Sequence, residues 1–139
     1  MTLKQRLHKR AYQRRWYKEN KARQKATNRK WRYENQQRHT ALEVRYRAKN
    51  KGIPCDFDYL VSMKCPRLCP VFLTSIAFTR GRGHLPRENT ASFDQIIPGK
   101  GYIRGNVQII SLKANMAKSN LTPAQLLLFS KWVLAQAGT

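Results

Sequence analysis

The sequence is poor in acidic residues and in long apolar runs. It has 7 Asp+Glu against 28 Lys+Arg, a formal net charge of +21 over 139 residues. A body with this excess repels itself unless an anionic partner neutralises it. The sequence shows no apolar run near 18 residues, and residues 1–15 are charged where a signal peptide would be apolar. We therefore expect an intracellular protein that is not secreted and has no membrane partner.

Cysteine, glycine and proline are scarce in informative ways. Three cysteines are an odd number, which argues against a disulfide framework. Residues 1–51 contain no glycine or proline and are rich in Lys, Arg, Gln and Ala, which favour helix. Gly52 and Pro54 then interrupt this pattern. We predict a basic arm of one or two long helices over residues 1–51 and one modest compact domain over residues 52–139.

Positive charge is concentrated in the basic arm. Residues 1–51 hold 18 Lys+Arg and 3 Glu, a net charge of +15, whereas residues 52–139 have a net charge of +6. A repeat at a spacing of 15 residues places Trp16 and Trp31 in matching basic surroundings, on nearly the same side of a helix. Such a helix can lie along phosphates while its rings pack on sugars or bases. The alternative is a solvated helix whose aromatic residues dock weakly on the domain.

The expected partner of the basic arm is DNA, with RNA as the alternative. The sequence leaves open whether the arm is ordered before it binds. It also leaves the oligomeric state open. The candidate nucleic-acid-binding residues are Arg14, Arg15, Trp16, Lys18, Arg29, Lys30, Trp31, Arg32, Arg45, Arg47, Lys113 and Lys118.

The sequence pattern of residues 52–139 predicts an α+β fold. Thr122, Pro123 and Gln125 are typical of a helix start, and the apolar residues that follow predict a helix packed on the core. The other predicted elements are a short helix capped by Asp56, a buried strand over Val71–Phe78, a hairpin of strands Ala91–Ile97 and Tyr102–Ser111, and a short helix over Ser111–Ser119. The residues expected on the buried face of the last helix are Leu126, Leu127, Phe129, Trp132 and Val133.

The stretch from Ser92 to Lys118 resembles the ββα-metal motif of HNH endonucleases, most of all the small phage-type proteins. The similarity is carried by Ser92–Pro98, Gly101–Tyr102, Gly105–Gln108, Ile110–Ser111, and Ala114–Asn115 with Lys118. It implies an HNH-like hairpin crossed by a helix. It also implies that Asp94 and Asn115 bind a divalent metal, Mg²⁺ or Mn²⁺, and that Asn106 ties the loop to the helix. The metal would act on a phosphodiester bond.

The sequence departs from this motif at the catalytic base, because Gln95 occupies the position of the family's histidine. An amide cannot take a proton from water near neutral pH. Three interpretations stay open: the protein is an inactive descendant that still binds DNA, His84 in the preceding loop is the base, or Gln95 orients a metal-bound water for slow cleavage. The predicted catalytic set is therefore Asp94, Gln95 and His84.

The cysteines raise the question of a structural zinc. Cys65 and Cys69 have nearly the spacing of a zinc knuckle, but Ser111 and Ala114 stand where related HNH proteins have a second cysteine pair. No structural zinc is expected. The functional expectation is an HNH-like endonuclease that nicks or cuts DNA, in the host cytoplasm if it is phage-encoded. The alternatives are a catalytically inactive DNA-binding or regulatory protein on the same scaffold, and a basic, ribosome-associated RNA-binding protein.

Overall fold

The computed structural model describes residues 1–79 and 86–138. It confirms an α+β protein with a long N-terminal helix, a two-stranded antiparallel sheet and a C-terminal helix. The helices are α1 (Leu3–Glu34), α2 (Gln36–Asn50), α3 (Phe57–Ser62), α4 (Leu112–Lys118) and α5 (Pro123–Ala137), and the strands are β1 (Ala91–Gln95) and β2 (Val107–Ser111). No helix among the described residues is long and apolar enough to cross a membrane.

The chain divides into two compact units, unit 1 (Met1–Asn35) and unit 2 (Gln36–Thr139). The division falls at Asn35, between α1 and α2, so the basic arm of the sequence analysis contributes α1 to unit 1 and α2 to unit 2. Unit 1 is essentially α1 alone. The helix starts with a capping box in which Thr2 and Gln5 bond reciprocally, and none of its side chains is buried.

The core of unit 2 lies between α2, α3, the hairpin and α4. Ala41 and Val44 of α2 are buried with Leu60 of α3, and Phe93 of β1 and Ile110 of β2 belong to the same cluster. Helix α4 packs across both strands. Its N-terminus is capped by Ser111, the last residue of β2, whose hydroxyl accepts from the Ala114 amide at 3.1 Å. This cap ties the start of α4 directly to the hairpin.

The hairpin matches the predicted pairing but is shorter than predicted. Ala91 pairs with Ser111 and Gln95 with Val107. The strands are therefore joined by a long connection that runs from Ile96 to Asn106. Gly101 in this connection has φ +110°, and a Cβ there would lie 2.7 Å from the carbonyl oxygen of Pro54. The close approach is used for bonding, because the Tyr102 amide donates to the Pro54 carbonyl at 2.8 Å.

The predicted strand over Val71–Phe78 is wrong. The Cys69 amide donates to the Thr74 carbonyl at 2.8 Å and the Leu73 amide donates to the Cys69 carbonyl at 2.8 Å, which closes a turn. Leu73 adopts a positive φ of 56° within it. Val71, Phe72 and Leu73 are exposed as a result, and only short bridges form on either side of the turn.

The predicted burial of the last helix is also wrong. Helix α5 has the predicted start, with a capping box between Thr122 and Gln125 and Pro123 in the first turn. None of its residues is buried, and Trp132 is 59% exposed. Local capping chemistry fixed where the helix begins, whereas burial depends on a packing partner that periodicity alone does not identify.

Candidate functional site

Asp94 is the acidic residue at the centre of the ββα unit. It lies on β1 opposite Gln108 of β2 and is only 4% exposed. One carboxylate oxygen, Oδ2, accepts a hydrogen bond from Gln108 Nε2 at 2.9 Å. The other, Oδ1, accepts from Lys118 Nζ at 3.1 Å. Both oxygens of the candidate metal ligand are therefore engaged by side chains of unit 2.

Lys118 supplies a positive charge at the junction of strand and helix. It is the last residue of α4, and its side chain is 11% exposed. Besides its ion pair with Asp94, its Nζ donates to the backbone carbonyl of Gln95 at 2.7 Å. Lys118 was predicted to bind nucleic acid, whereas in the structure its ammonium faces Asp94 and the Gln95 carbonyl. The ammonium group holds the C-terminal end of α4 against β1.

Asn115 forms hydrogen bonds with the same strand. Its Nδ2 donates to the Ser92 hydroxyl at 2.7 Å and to the Phe93 carbonyl at 3.3 Å. The two predicted metal ligands are thus brought to the same strand and helix, and each has its own hydrogen-bond partners there. Asn115 and Lys118 are three residues apart on one face of α4, which lets one helix bind β1 at two points.

Gln95 braces the loop between the strands. Its Oε1 accepts a hydrogen bond from the Gly101 amide at 2.8 Å, and its own backbone carbonyl receives Lys118. Both interactions are structural, and a carboxamide has no proton-accepting capacity near neutral pH. His84, the other candidate base, lies outside the described residues.

Asn106 closes the same loop from its far end. The residue is 1% exposed, and its Oδ1 accepts from the Ile97 amide at 3.0 Å. Its Nδ2 donates to the carbonyls of Ile97, at 3.1 Å, and Gly101, at 2.8 Å. The resemblance implied that Asn106 ties the loop to the helix. These three bonds instead tie the loop to itself, and they hold Gly101 where Gln95 can reach it.

Cys69 is bound to the second strand by hydrogen bonds. Its Sγ and the Ser111 hydroxyl lie 3.3 Å apart, and the Ser111 amide donates to the same sulfur at 3.3 Å. Burial raises the pKa of the Cys69 thiol, but the bonds from Ser111 and from nearby backbone groups outweigh it and lower the pKa overall. Burial raises the pKa of Cys65, in contrast. Of these two cysteines, only Cys69 therefore has a thiol pKa below its ordinary value.

The divalent metal site expected at Asp94 and Asn115 stays a prediction. Within residues 1–79 and 86–138, no three or more His, Cys, Asp or Glu side chains are grouped so that they could hold a metal ion. Asp94 already has a cation at 3.1 Å, and a metal ion would have to displace the ammonium of Lys118 from it. A divalent ion also requires several oxygen ligands, whereas the Asp94 carboxylate and the Asn115 amide supply few.

The other candidate nucleic-acid-binding residues are divided between the two units. Arg14, Lys18 and the other candidates on α1 belong to unit 1 and are exposed. In unit 2, the Arg45 guanidinium lies over the Phe57 ring at 4.5 Å from its centroid, Arg47 is exposed on α2, and Lys113 forms an ion pair with Glu88 at 3.9 Å. Arg45 and Lys113 therefore have protein contacts of their own.

Sequence reasoning missed three residues of the ββα unit. These are Ser92 and Gln108, which bond Asn115 and Asp94, and Lys118 as an internal counter-ion. Gln108 could have been found from strand register, because pairing Ala91 with Ser111 sets it opposite Asp94.

Comparison of the chain with protein-family models, with curated proteins and with solved structures gave no match.

Proposed function

We propose that this chain is an HNH-like DNA-binding protein that grips the phosphate backbone through unit 1 and leaves the phosphodiester intact. The observation that carries the proposal is the composition of α1. Its 32 residues include 13 Lys+Arg and 2 Glu, and no side chain of the helix is buried. A helix of this kind gains little from packing, so neutralisation by a polyanion is its largest available source of stabilisation.

The absence of cleavage is supported by the interactions around Asp94. Lys118 neutralises the carboxylate, Gln108 takes its second oxygen, and Gln95 is bonded to Gly101. A hydrolytic site needs a base that can accept a proton and a group that stabilises the leaving oxygen. In this arrangement Asp94, Gln95 and Lys118 build the scaffold that positions α4 on the hairpin.

Metal-dependent nicking of DNA is the second candidate function. It is favoured by one observation: Asp94 lies on the strand and Asn115 on the helix that the HNH resemblance requires, and Asn115 donates a hydrogen bond to Ser92 of that strand. This function requires that Lys118 moves away from Asp94. It also requires that His84 or another group acts as the base. It therefore predicts a rearrangement that the DNA-binding function does not.

Binding is tested by fluorescence anisotropy with a labelled DNA duplex at increasing salt. We expect tight binding at about 50 mM salt that weakens by several orders of magnitude towards about 200 mM. Competition with an RNA duplex of equal length separates the DNA from the RNA alternative. Binding that is absent at low salt would refute the proposal, and a preference for the RNA competitor would replace DNA by RNA as the partner.

Cleavage is tested on supercoiled plasmid with Mg²⁺ or Mn²⁺. The controls are EDTA and Asp94→Ala, with circular dichroism to verify that the variant is folded. We expect retarded but intact plasmid in every lane. Metal-dependent nicking that disappears in both controls would establish the second candidate function.

A further inference from the structure

Most of the cations of α1 lie on one face of the helix. Eight of the 13 follow one another at intervals of three or four residues, and at 3.6 residues per turn they fall within an arc of about 140°. They extend over about 39 Å of helix at 1.5 Å per residue. This cationic face consists of Arg6, Arg10, Arg14, Lys18, Lys21, Lys25, Arg29 and Arg32.

The two acidic residues of α1 lie outside the cationic face. Glu19 pairs with Arg15 at 4.0 Å, and Glu34 pairs with Lys30 at 3.9 Å. Arg15 and Lys30 are themselves off the face. None of the eight cations on the face has an ion-pair partner among the described residues. The internal neutralisation of α1 is therefore restricted to the opposite side, and the face carries uncompensated charge.

The uncompensated charges are close enough to oppose one another. Arg6, Arg10, Arg14 and Lys18 succeed one another at intervals of four residues, the spacing at which side chains of a helix are neighbours. Like charges in this relation destabilise a helix, and α1 has no buried side chain to offset the effect. A row of anions along the face would remove this repulsion. The arrangement fits a partner whose charges are themselves in a row.

We propose that the cationic face of α1 is the surface that contacts the phosphates of duplex DNA, an inference that rests on the proposed DNA-binding function. The face is about 39 Å long, slightly more than the 34–36 Å of one turn of B-DNA. The major groove of B-DNA, about 12 Å wide, admits an α-helix with phosphates along its edges. The deep, narrow major groove of A-form RNA does not, which favours DNA over duplex RNA.

An aromatic residue lies within the cationic face. Tyr17 borders a shallow depression with Arg10, Gln13 and Arg14, and its ring is exposed. A tyrosine between phosphate-binding cations can pack against sugar or base edges while the neighbouring guanidinium groups hold the backbone. Trp16 lies off the arc. Of these two adjacent aromatic residues, only Tyr17 is therefore proposed to face the DNA.

Two variants of equal charge test the face against the other side of the helix. The face variant changes Arg10, Arg14, Lys18, Lys21 and Lys25 to Gln. The control variant changes Lys4, Lys9, Arg15, Arg23 and Lys30 to Gln. Each replaces two Arg and three Lys in the full-length chain with a residue that favours helix. Circular dichroism shows whether both variants remain helical.

Affinity for a DNA duplex of about 30 base pairs, three helical turns, is measured as a function of salt. For the face variant we expect the slope of log K against log salt to fall in magnitude by about 4.5, at about 0.9 per phosphate contact. For the control variant we expect a change of less than about 1. When salt rises from about 50 to about 200 mM, the affinity of each protein falls by some factor. This factor should be roughly 100- to 1000-fold smaller for the face variant than for the wild type.

The outcomes separate this inference from the proposed function. If the wild type binds DNA and the two variants show equal slopes, charge is used without regard to face and the inference is overturned while the proposed function stands. A larger effect of the control variant also overturns it. If the wild type does not bind DNA, the proposed function and the inference fall together. Equal binding of a matched RNA duplex through the same face overturns the choice of DNA.

Discussion

Units 1 and 2 carry nearly the same net charge, although unit 1 is little more than one helix and unit 2 is a domain with a core. Met1–Asn35 holds 13 Lys+Arg and 2 Glu, a net charge of +11, and Gln36–Thr139 holds 15 Lys+Arg and 5 Asp+Glu, a net charge of +10. Unit 2 surrounds a hydrophobic core, whereas α1 buries nothing. In unit 2 the charges can be spread or paired without loss of fold. In unit 1 no buried side chain offsets the repulsion between neighbouring cations.

Removing unit 1 is the strongest test of this comparison. We expect residues 36–139 to unfold cooperatively with a melting temperature close to that of the full chain, because the core lies within them. Affinity for DNA should fall by about 10³-fold or more at low salt, since most phosphate contacts are lost. Anisotropy and thermal unfolding monitored by circular dichroism measure the two effects. Unchanged affinity would mean that unit 2 carries the binding.

Replacing the internal cation of unit 2 has the next largest effect. Lys118→Met leaves Asp94 buried without its partner, and we expect a loss of about 3–5 kcal/mol in the free energy of unfolding, measured by urea denaturation. The double variant Asp94→Asn/Lys118→Met removes both charges and should lose less than the single variant. Equal losses in the two would show that the loss does not come from leaving Asp94 without a counter-ion.

The same variant tests how the metal and the ammonium compete. Mn²⁺ should leave the melting temperature of the wild type unchanged, because Lys118 neutralises Asp94. If Asp94 and Asn115 keep a capacity to bind a metal, Mn²⁺ should stabilise Lys118→Met, since a ligand that binds only the folded state raises its stability. A stabilised wild type would contradict the pairing described for Lys118.

Truncating Asn106, which holds the loop between the strands, has a smaller effect. Asn106→Ala removes three hydrogen bonds at a buried position and leaves the Ile97 amide and the Gly101 carbonyl without them. We expect a loss of about 2–3 kcal/mol in the free energy of unfolding. The exposed Asn120→Ala on the same unit is the matched control and should change stability by less than about 0.5 kcal/mol. Similar losses in both would mean that Asn106 does not hold the loop.

The smallest expected effect is the response of each unit's stability to salt. A peptide of residues 1–35 should gain helical circular dichroism signal at 222 nm as salt rises, because screening weakens repulsion between neighbouring cations by a few tenths of a kcal/mol per pair. The melting temperature of residues 36–139 should respond much less. A peptide whose helicity falls with salt would show that its ion pairs, Arg15–Glu19 and Lys30–Glu34, outweigh the repulsion on the cationic face.

What could be predicted from the sequence was local. The caps at Asp56 and Thr122 gave correct helix starts, since a capping bond joins residues only three apart. The antiparallel pairing of the two strands was also correct. The turn at Leu73 and the exposure of Trp132 were missed, because they depend on bonds and packing partners elsewhere in the chain.

The candidate site shows the same limit. Motif spacing predicted that Asp94 and Asn115 lie on a strand and a helix that pack together, and the structure places them so. It did not predict that Lys118 reaches Asp94, because that contact depends on the packing angle of α4. The orientation of Gln95 depends in turn on Gly101, whose position depends on Pro54.

The bond between Cys69 and Ser111 also has a consequence for the order in which the molecule forms. It joins residues 42 positions apart, so the core of unit 2 cannot close until most of its chain has been synthesised, on the order of ten seconds at about 5–20 residues per second. Helix α1 needs only local bonds and precedes unit 2 in the chain. Its elementary folding time is about a microsecond. A helix that forms at this rate would precede the closed core by seconds, so the proposed binding of a polyanion would not require unit 2 to have folded.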